Sequence, residues 1–399
     1  MIKLPEQAII VLNELEKNGY EAYLVGGFVR DLILSRETHD IDCATNALPD
    51  EIERVFSNFK QSQIGKDHGT IGVKIKHDWI EITTYRFDDE TKDHRRPKSV
   101  TYAPSLKEDV IRRDFTINAL AINQKGEIID YVNGQEDIKQ RIIRCVGNPE
   151  YRFYEDALRI LRGIRFACQL NFEIEKNTLE AMHKQSYLLN ALAVERIYQE
   201  FKLMLESDSI YPYFNSTKDI LNVFIPEILD LDSQLLMKID QCNTWLKRFS
   251  LFFIHQNEEK IRIRANHLKM PKKLIKDSVD FYYCYNHEYN DQEIDIKRMM
   301  QVYPKTIILE AMELKKIIDP EHYSEKSYQL LLKMIQDNVV ISIKDLNING
   351  HDLLNMNIKG KAIQETLNAC LEAVMLNKVE NTKEALIQWV NLTSEQGML

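Results

Sequence analysis

The sequence predicts an α+β fold: a mixed α/β head of about 140 residues followed by an all-α remainder. Three observations carry that prediction. Alternating, β-branched runs are confined to the first third of the chain. After about residue 150, apolar residues recur at i, i+3 and i+4 through 153–170, 176–186 and 193–205, and helical patterns continue to the end. At 399 residues the chain also exceeds one ordinary domain, so about two to four units are expected.

The head elements follow in order. Residues 6–18 repeat apolar positions at helical spacing, and Gly19 is a suitable stop. Residues 21–25 read as a strand running into Gly26-Gly27, and 28–34 as a short helix. Residues 40–44 are compatible with a strand. Pro49-Asp50-Glu51 opens a helix with proline and acids in its first turn. Gly69 to Lys76 and Trp79 to Phe87 are β-rich runs joined at His77-Asp78 as a hairpin. Residues 88–107 are charged, contain two prolines and read as a long loop, a class that is often functional. Beyond 150 the helical patterns are interrupted by Pro226, Pro271, Pro304 and Pro320.

Composition narrows the class. Hydrophobic residues make up 44% and charged residues 28%, as in ordinary soluble proteins. No apolar run reaches the ~20 residues that span a bilayer, and the start lacks a signal-peptide layout. A cytoplasmic chain without a membrane partner is expected. Cys43, Cys145, Cys168, Cys242, Cys284 and Cys370 are scattered, with no CxxC pair, which disfavours zinc and disulfides. The net charge of −9 argues against a polyanionic partner on average, but averages hide segregation. Lys260, Arg262, Arg264, Lys269, Lys272, Lys273 and Lys276 fall in a stretch without an acid. Arg95, Arg96, Lys98, Lys107, Arg112 and Arg113 fall in another stretch, among acids. Taken alone, either run reads as a solvated face.

Four motifs bear chemistry. The first is Gly26-Gly27-Phe28-Val29-Arg30-Asp31 followed by Asp40-Ile41-Asp42. On a strand Asp40 and Asp42 share a face, and two close carboxylates invite a cation. Magnesium takes one or two carboxylates together with substrate phosphates. The glycines let backbone approach a triphosphate, the helix after them offers free N–H groups, and Arg30 can add charge-assisted bonds. The ordered combination is far more specific than either part; Glu293-Ile294-Asp295 is a chance DxD-like triplet. The second is Glu81, on a strand face with Thr83. It is either a third carboxylate for a metal or proton, or a solvent-facing edge residue.

The third motif is Ile111-Arg112-Arg113-Asp114-Phe115-Thr116-Ile117-Asn118-Ala119. Its arginines suit phosphate, and its Asp and Asn suit ribose hydroxyls; the plain alternative is a charged helix N-terminus. The fourth is Glu155-Asp156-Ala157-Leu158-Arg159-Ile160-Leu161-Arg162-Gly163-Ile164-Arg165-Phe166. Read as helix, it puts Asp156, Arg159 and Arg162 on one stripe, which is either a surface ion pair or a base reader. An Asp accepts from the exocyclic amine of cytosine or adenine while an Arg donates to the ring nitrogen. Uracil and guanine reverse that pattern and leave buried groups unpaired.

Together these motifs resemble the class II tRNA nucleotidyltransferases, the CCA-adding enzymes of the DNA polymerase beta-like superfamily. LVGGFVRD with HDID resembles the family's metal and triphosphate motif, RRDFTINA its ribose motif, and EDALRILRGIRF its amino-acid template. Asp130 to Gly147 resembles the hinge between head and neck, and Val194-Glu195-Arg196-Ile197 with Glu200 and Lys202 the next neck helix. The resemblance is close over about residues 20–205. It implies a nucleotidyltransferase head with a mixed β-sheet over 1–148, then an all-α neck over 149–206, body over 207–310 and tail over 311–399. It implies Mg2+ on Asp40 and Asp42, with Glu81 as the third carboxylate. Gly27, Arg30 and one or both of Arg112 and Arg113 would hold the nucleotide. Asp156 and Arg159 would pair with the base, with Arg162 and Arg165 nearby. The implied partners are CTP, ATP and the acceptor end of tRNA, the tail binding tRNA, and a homodimer is compatible. The implied reaction adds C, C and A to the tRNA 3′ end with release of pyrophosphate.

Downstream, Asn349-Gly350-His351-Asp352-Leu353-Leu354 is similar to the family tail, while Lys359 to Gln364 departs from its glycine-rich stretch. CC-adding or A-adding relatives and poly(A) polymerases share the head. The latter usually carry a basic extension that this chain lacks, and Asp93-His94-Arg95-Arg96-Pro97 resembles the full CCA-adding loop. A non-catalytic RNA-binding protein ranks lower, because all three carboxylates are present. His39-Asp40 and His351-Asp352 do not make up a phosphohydrolase site, which needs further His and Asp ligands.

Overall fold

A computed structural model of the chain describes residues 2–38, 40–87 and 101–395. The chain separates into two compact units, Met1–Ser233 and Gln234–Leu399.

The first unit is built on a seven-stranded sheet. Its strands are β1 (Ala22–Val25), β2 (Ile41–Thr45), β3 (Lys60–Ser62), β4 (Thr70–Ile75), β5 (Asp78–Thr84), β6 (Leu120–Ile122) and β7 (Ile128–Asp130). They lie in the order β3-β4-β5-β2-β1-β6-β7. Neighbours are antiparallel except β2 and β5, which run parallel and set Asp42 opposite Glu81. The sheet is therefore mixed, as expected.

Local rules explain the elements around the sheet. Helix α1 (Glu6–Lys17) buries Ala8, Val11, Leu12 and Leu15, one stripe at helical spacing, and stops before Gly19 at φ +87°. Helix α2 (Gly27–Ile33) starts directly after Gly26. Helix α3 (Pro49–Val55) has proline in its first turn, and the Glu51 carboxylate accepts the Leu48 N–H at 2.8 Å. The β4–β5 hairpin turns at Lys76-His77, with Lys76 at φ +55°.

Two sequence expectations are corrected. The expected loop over 88–107 is cut short by α4 (Leu106–Ile111), whose Leu106, Asp109 and Val110 are buried. Arg112 caps the C-terminus of α4, so RRDFTINA does not open a helix. The segment Asp93 to Pro97 lies outside the described residues. The single helix expected over 153–170 is two helices. After α5 (Gly134–Gln140) come α6 (Pro149–Glu155) and α7 (Leu158–Leu170), with Asp156 extended between them at φ −143° and ψ 100°. Helices α8 (Lys176–Gln185) and α9 (Val194–Leu205) pack on α6 and α7 respectively. Gly163 of α7 leaves room for Met182 of α8 and for Phe115: a Cβ there would stand 2.2 Å from Met182 Cε and 2.8 Å from Phe115 Cζ. The short parallel pair β8 (Ile142–Ile143) and β9 (Glu173–Ile174) has no period-2 signature to find.

The second unit has no strand among its described residues. One core gathers Phe281, Ile296, Ile308, Met312, Leu314 and Leu331. Another gathers Leu353, Leu367, Cys370, Met375, Leu386 and Val390. The basic run lies on two consecutive helices, Glu258–His267 and Lys272–Asn286, with Lys260, Arg262, Lys272, Lys273 and Lys276 exposed. Glu293 and Asp295 sit in a helix first turn, where Asp295 accepts from His287 Nε2 at 2.9 Å. Asp352 caps its own helix and pairs with Lys383 at 2.6 Å. All six cysteines are free and buried. No helix among the described residues is long and apolar enough to cross a membrane.

Candidate active site

The site lies within the first unit, in a cleft of about 450 Å³ lined by Gly26, Gly27, Arg30, Asp42, Arg86, Arg112, Arg113, Asp114, Asn118, Asp156, Leu158, Arg159, Arg162, Phe166 and Arg196. Its acidic end stands on the central strand. Asp42 points out of β2 beside Glu81 of β5, because paired residues of a parallel ladder face the same way. Asp40 lies one residue ahead of β2 and is exposed. Burial pushes the Asp42 carboxyl up to about 6; Glu81 adds to the rise, Arg113 opposes it, and Asp40 adds a smaller repulsion. Glu81 is thereby brought to the acidic cluster by register, the feature its own spacing did not reveal.

This donor set fits a hard divalent cation. Carboxylates that repel one another, one of them raised by burial first and by Glu81 second, are relieved by positive charge. Among the described residues no three His, Cys, Asp or Glu side chains, Asp40, Asp42 and Glu81 included, are grouped closely enough to hold a metal ion between them.

Next to the carboxylates is the glycine element. Gly26 adopts φ +75°, which favours glycine, and a Cβ on it would stand 3.1 Å from Arg113 Nη1 and 3.5 Å from Asp42 Oδ2. Arg30 is buried under Gly27 and donates to both Asp31 oxygens at 2.9 Å and to Asn118 Oδ1 at 2.7 Å. Asn118 in turn donates to Asp114 Oδ1 at 3.2 Å, and Asp114 accepts from Arg162 Nε at 2.7 Å. Burial would raise the Asp114 carboxyl, but Arg162, Asn118 and the Phe115 N–H outweigh it and hold the group at about 2. A continuous polar chain thus runs from α2 on the sheet to Arg162 on α7. The Phe166 ring lies beneath it, with the guanidinium carbons of Arg165, Arg30 and Arg162 at 4.0, 5.2 and 5.3 Å from its centroid.

The expected Asp156–Arg159 stripe is rearranged. Asp156 is not helical, so the two side chains are not an i, i+3 pair on one helix face. Asp156 Oδ1 accepts the Leu158 N–H at 3.1 Å, and Oδ2 accepts Arg196 Nη2 at 3.2 Å. Arg159 instead donates to Glu155 Oε2 at 2.8 Å, to the Arg152 carbonyl at 3.1 Å and to the Arg112 carbonyl at 3.2 Å. Both still line the same cleft. Arg165 does not line it: its Nε donates to Glu200 Oε2 at 2.6 Å.

Arg86, Asp109, Arg196 and Phe166 join the site without having been singled out for it. Asp109 carried a usable signal. It lies three and four residues before Arg112 and Arg113, on a helix face between apolar Leu106 and Val110.

Comparison with known proteins places this arrangement. Residues 22–144 match the poly(A) polymerase head domain, so the fold and its cleft define a nucleotidyltransferase. Residues 171–231 match the region described as "Probable RNA and SrmB- binding site of polymerase A", and 241–390 match tRNA nucleotidyltransferase domain 2. The chain is 37% identical to the CCA-adding enzyme of Staphylococcus haemolyticus, over 97% of this chain and 98% of that one. It is 34% identical to the CCA-adding enzyme of Bacillus subtilis, over 98% of each. Its structure is similar to that of the Bacillus stearothermophilus CCA-adding enzyme in complex with CTP, with a TM-score of 0.80, 28% identity and 98% of each chain covered. The chain belongs to the CCA-adding enzyme family. Enzymes of this family generally use a divalent metal.

Proposed function

We propose that this protein adds C, C and A in turn to the 3′ end of tRNA from CTP and ATP, releasing pyrophosphate at each step. One observation carries the reading: a carboxylate on the central strand and a base-sized set of Asp and Arg side chains line one cleft.

Asp40 and Asp42 hold Mg2+, with Glu81 as the third carboxylate. Bound there, the ion supplies positive charge at the reacting phosphorus and its leaving group. The chain's own residues do the rest. Gly26 and Gly27 let the triphosphate approach backbone, and Arg30 and Arg113 offset its charge. Asp114 and Asn118 face the sugar. Asp156 accepts the exocyclic amine of cytosine or adenine, and Arg159 donates to the ring nitrogen, so protein side chains replace a template. Arg162 supports this reader through Asp114. Arg165 orders α7 against Glu200 from outside the cleft.

The test is sequencing of the product formed from tRNA lacking its CCA end with CTP and ATP. A complete CCA end is expected. A product stopping at CC, or growing into a long A tail, overturns the reading in favour of a CC-adding enzyme or a poly(A) polymerase. Asp42→Ala should abolish transfer while leaving tRNA binding intact. Retained transfer would refute the metal role, and loss of binding would favour a plain RNA-binding scaffold.

A further inference from the structure

Asp109 is a carboxylate with almost no exposure to water (1%), set between buried Leu106 and Val110 on α4. A buried carboxylate between guanidiniums adds little net stability compared with an apolar residue of its size, because desolvation offsets the attraction. Its bonding is specific, however. Oδ1 accepts Arg112 Nε at 3.0 Å, Arg112 Nη2 at 2.7 Å and the Arg86 backbone N–H at 3.4 Å. Oδ2 accepts Arg113 Nη2 at 3.0 Å. One carboxylate thus holds two adjacent guanidiniums that would otherwise repel, and the trio keeps one net positive charge.

Arg113 is the member that reaches the acidic end. Its Nη1 stands at Gly26, on the same spot that Asp42 Oδ2 approaches. Its Nε is buried and has no hydrogen-bond partner, a costly state that leaves one donor for an anion. Asp109 and Asp42 therefore sit at opposite ends of the Arg113 guanidinium, one anchoring it and the other sharing the cleft with it.

We infer that Asp109 is a positioning residue for nucleotide binding: it acts through Arg113, fixing that guanidinium where the triphosphate of either incoming nucleotide meets Gly26. The inference rests on the proposed function and adds a residue to it. Because the triphosphate is common to CTP and ATP, loss of Asp109 raises the KM for both by the same factor. One charge-assisted bond corresponds to about tenfold. Affinity for tRNA does not change.

The experiment is a double-mutant cycle on the full chain with Asp109→Asn, Arg113→Ala and the pair. The readouts are KM and kcat for CTP and ATP, tRNA binding and thermal unfolding. The expected result is a rise of about tenfold in both nucleotide KM values for Asp109→Asn and no further rise when Arg113 is already alanine. An unchanged KM in folded Asp109→Asn overturns the inference. So does an equal rise in the Arg113→Ala background, which would mean Asp109 acts by another route. Should Asp109→Asn not fold, the cycle is run with Asp109→Glu, which keeps the charge on a longer arm, and the same two outcomes decide. Wild-type protein run in parallel separates the readings: if it adds no CCA, the proposed function fails; if it does, only the role of Asp109 is at stake.

Discussion

Replacing Asp42 by Asn should kill transfer and stabilise the cation-free protein. Asp42 sits in the fold with its carboxyl raised from 3.8 to about 6, by burial first and then by Glu81. An acid whose pKa is raised on folding binds its proton more tightly in the native state. Its ionised form therefore costs stability at neutral pH. Two pKa units correspond to about 3 kcal/mol, and because the side chain is only half-buried, about 1–3 kcal/mol is the working range. Asn keeps the shape and removes the charge. Below about pH 3.8 both states hold the proton and the penalty is absent; it grows up to about pH 6 and is complete above. The assay is unfolding by urea, followed on signals from the first unit, with EDTA at pH 7.5, 6 and 5. Asp42→Asn should be the more stable protein at pH 7.5, and its advantage should shrink steadily towards pH 4. Added Mg2+ should stabilise the wild type and not the variant. Equal stabilities in EDTA at pH 7.5, or an advantage independent of pH, would refute the argument that these carboxylates repel one another.

Four further outcomes follow from the same geometry. Asp114→Asn removes the acceptor of Arg162 and should cost about 2–3 kcal/mol at pH 7, measured by denaturant unfolding. Because the folded carboxyl sits at about 2, its stabilising contribution is complete above about pH 3.8 and is lost as pH falls towards 2, so the gap to wild type should close there. Asp156→Asn keeps an acceptor for only one of the Leu158 N–H and Arg196 and puts an N–H donor where the other oxygen stood, so it should relax discrimination against UTP and GTP by at least about tenfold in misincorporation assays. Gly163→Ala drives a methyl into Met182 and Phe115 and should lower stability by about 1–3 kcal/mol, seen as a lower Tm. Binding of tRNA should weaken steeply with salt, and charge reversal at Lys272 and Lys273 should flatten that slope.

Where one physical rule acts locally, the sequence was legible. The α1 stripe, the proline-started α3 and the β4–β5 hairpin each follow from spacing or turn chemistry within about a dozen residues. The glycine element was legible for the same reason, whereas of the acidic pair only Asp42 stands on β2 and lines the cleft, Asp40 lying one residue ahead of the strand expected to carry both. Partnerships made at long range were not. Glu81 joins Asp42 only through the parallel register of β2 and β5, which no spacing encodes. The break at Asp156 is hidden inside an unbroken helical periodicity, and it separates Asp156 from Arg159, which bonds to Glu155 instead. Arg165 was set near the reader by the family resemblance alone; its partner Glu200 lies on another helix. Asp109 was overlooked because a charged residue close to Glu108, Arg112 and Arg113 looks solvated until its burial is known.

The place of β2 as the middle strand of seven has one more consequence. Peptide groups there are protected by a neighbour on each side, so their local opening should need nearly the full unfolding free energy of the unit. Asp40 stands just off the end of that strand and escapes this protection. In deuterium exchange the amides of Ile41 to Thr45 should be among the slowest in the head, and that of Asp40 much faster. The two carboxylates of one site would then sit on backbone of unequal stiffness, a fixed post on β2 and a compliant one ahead of it.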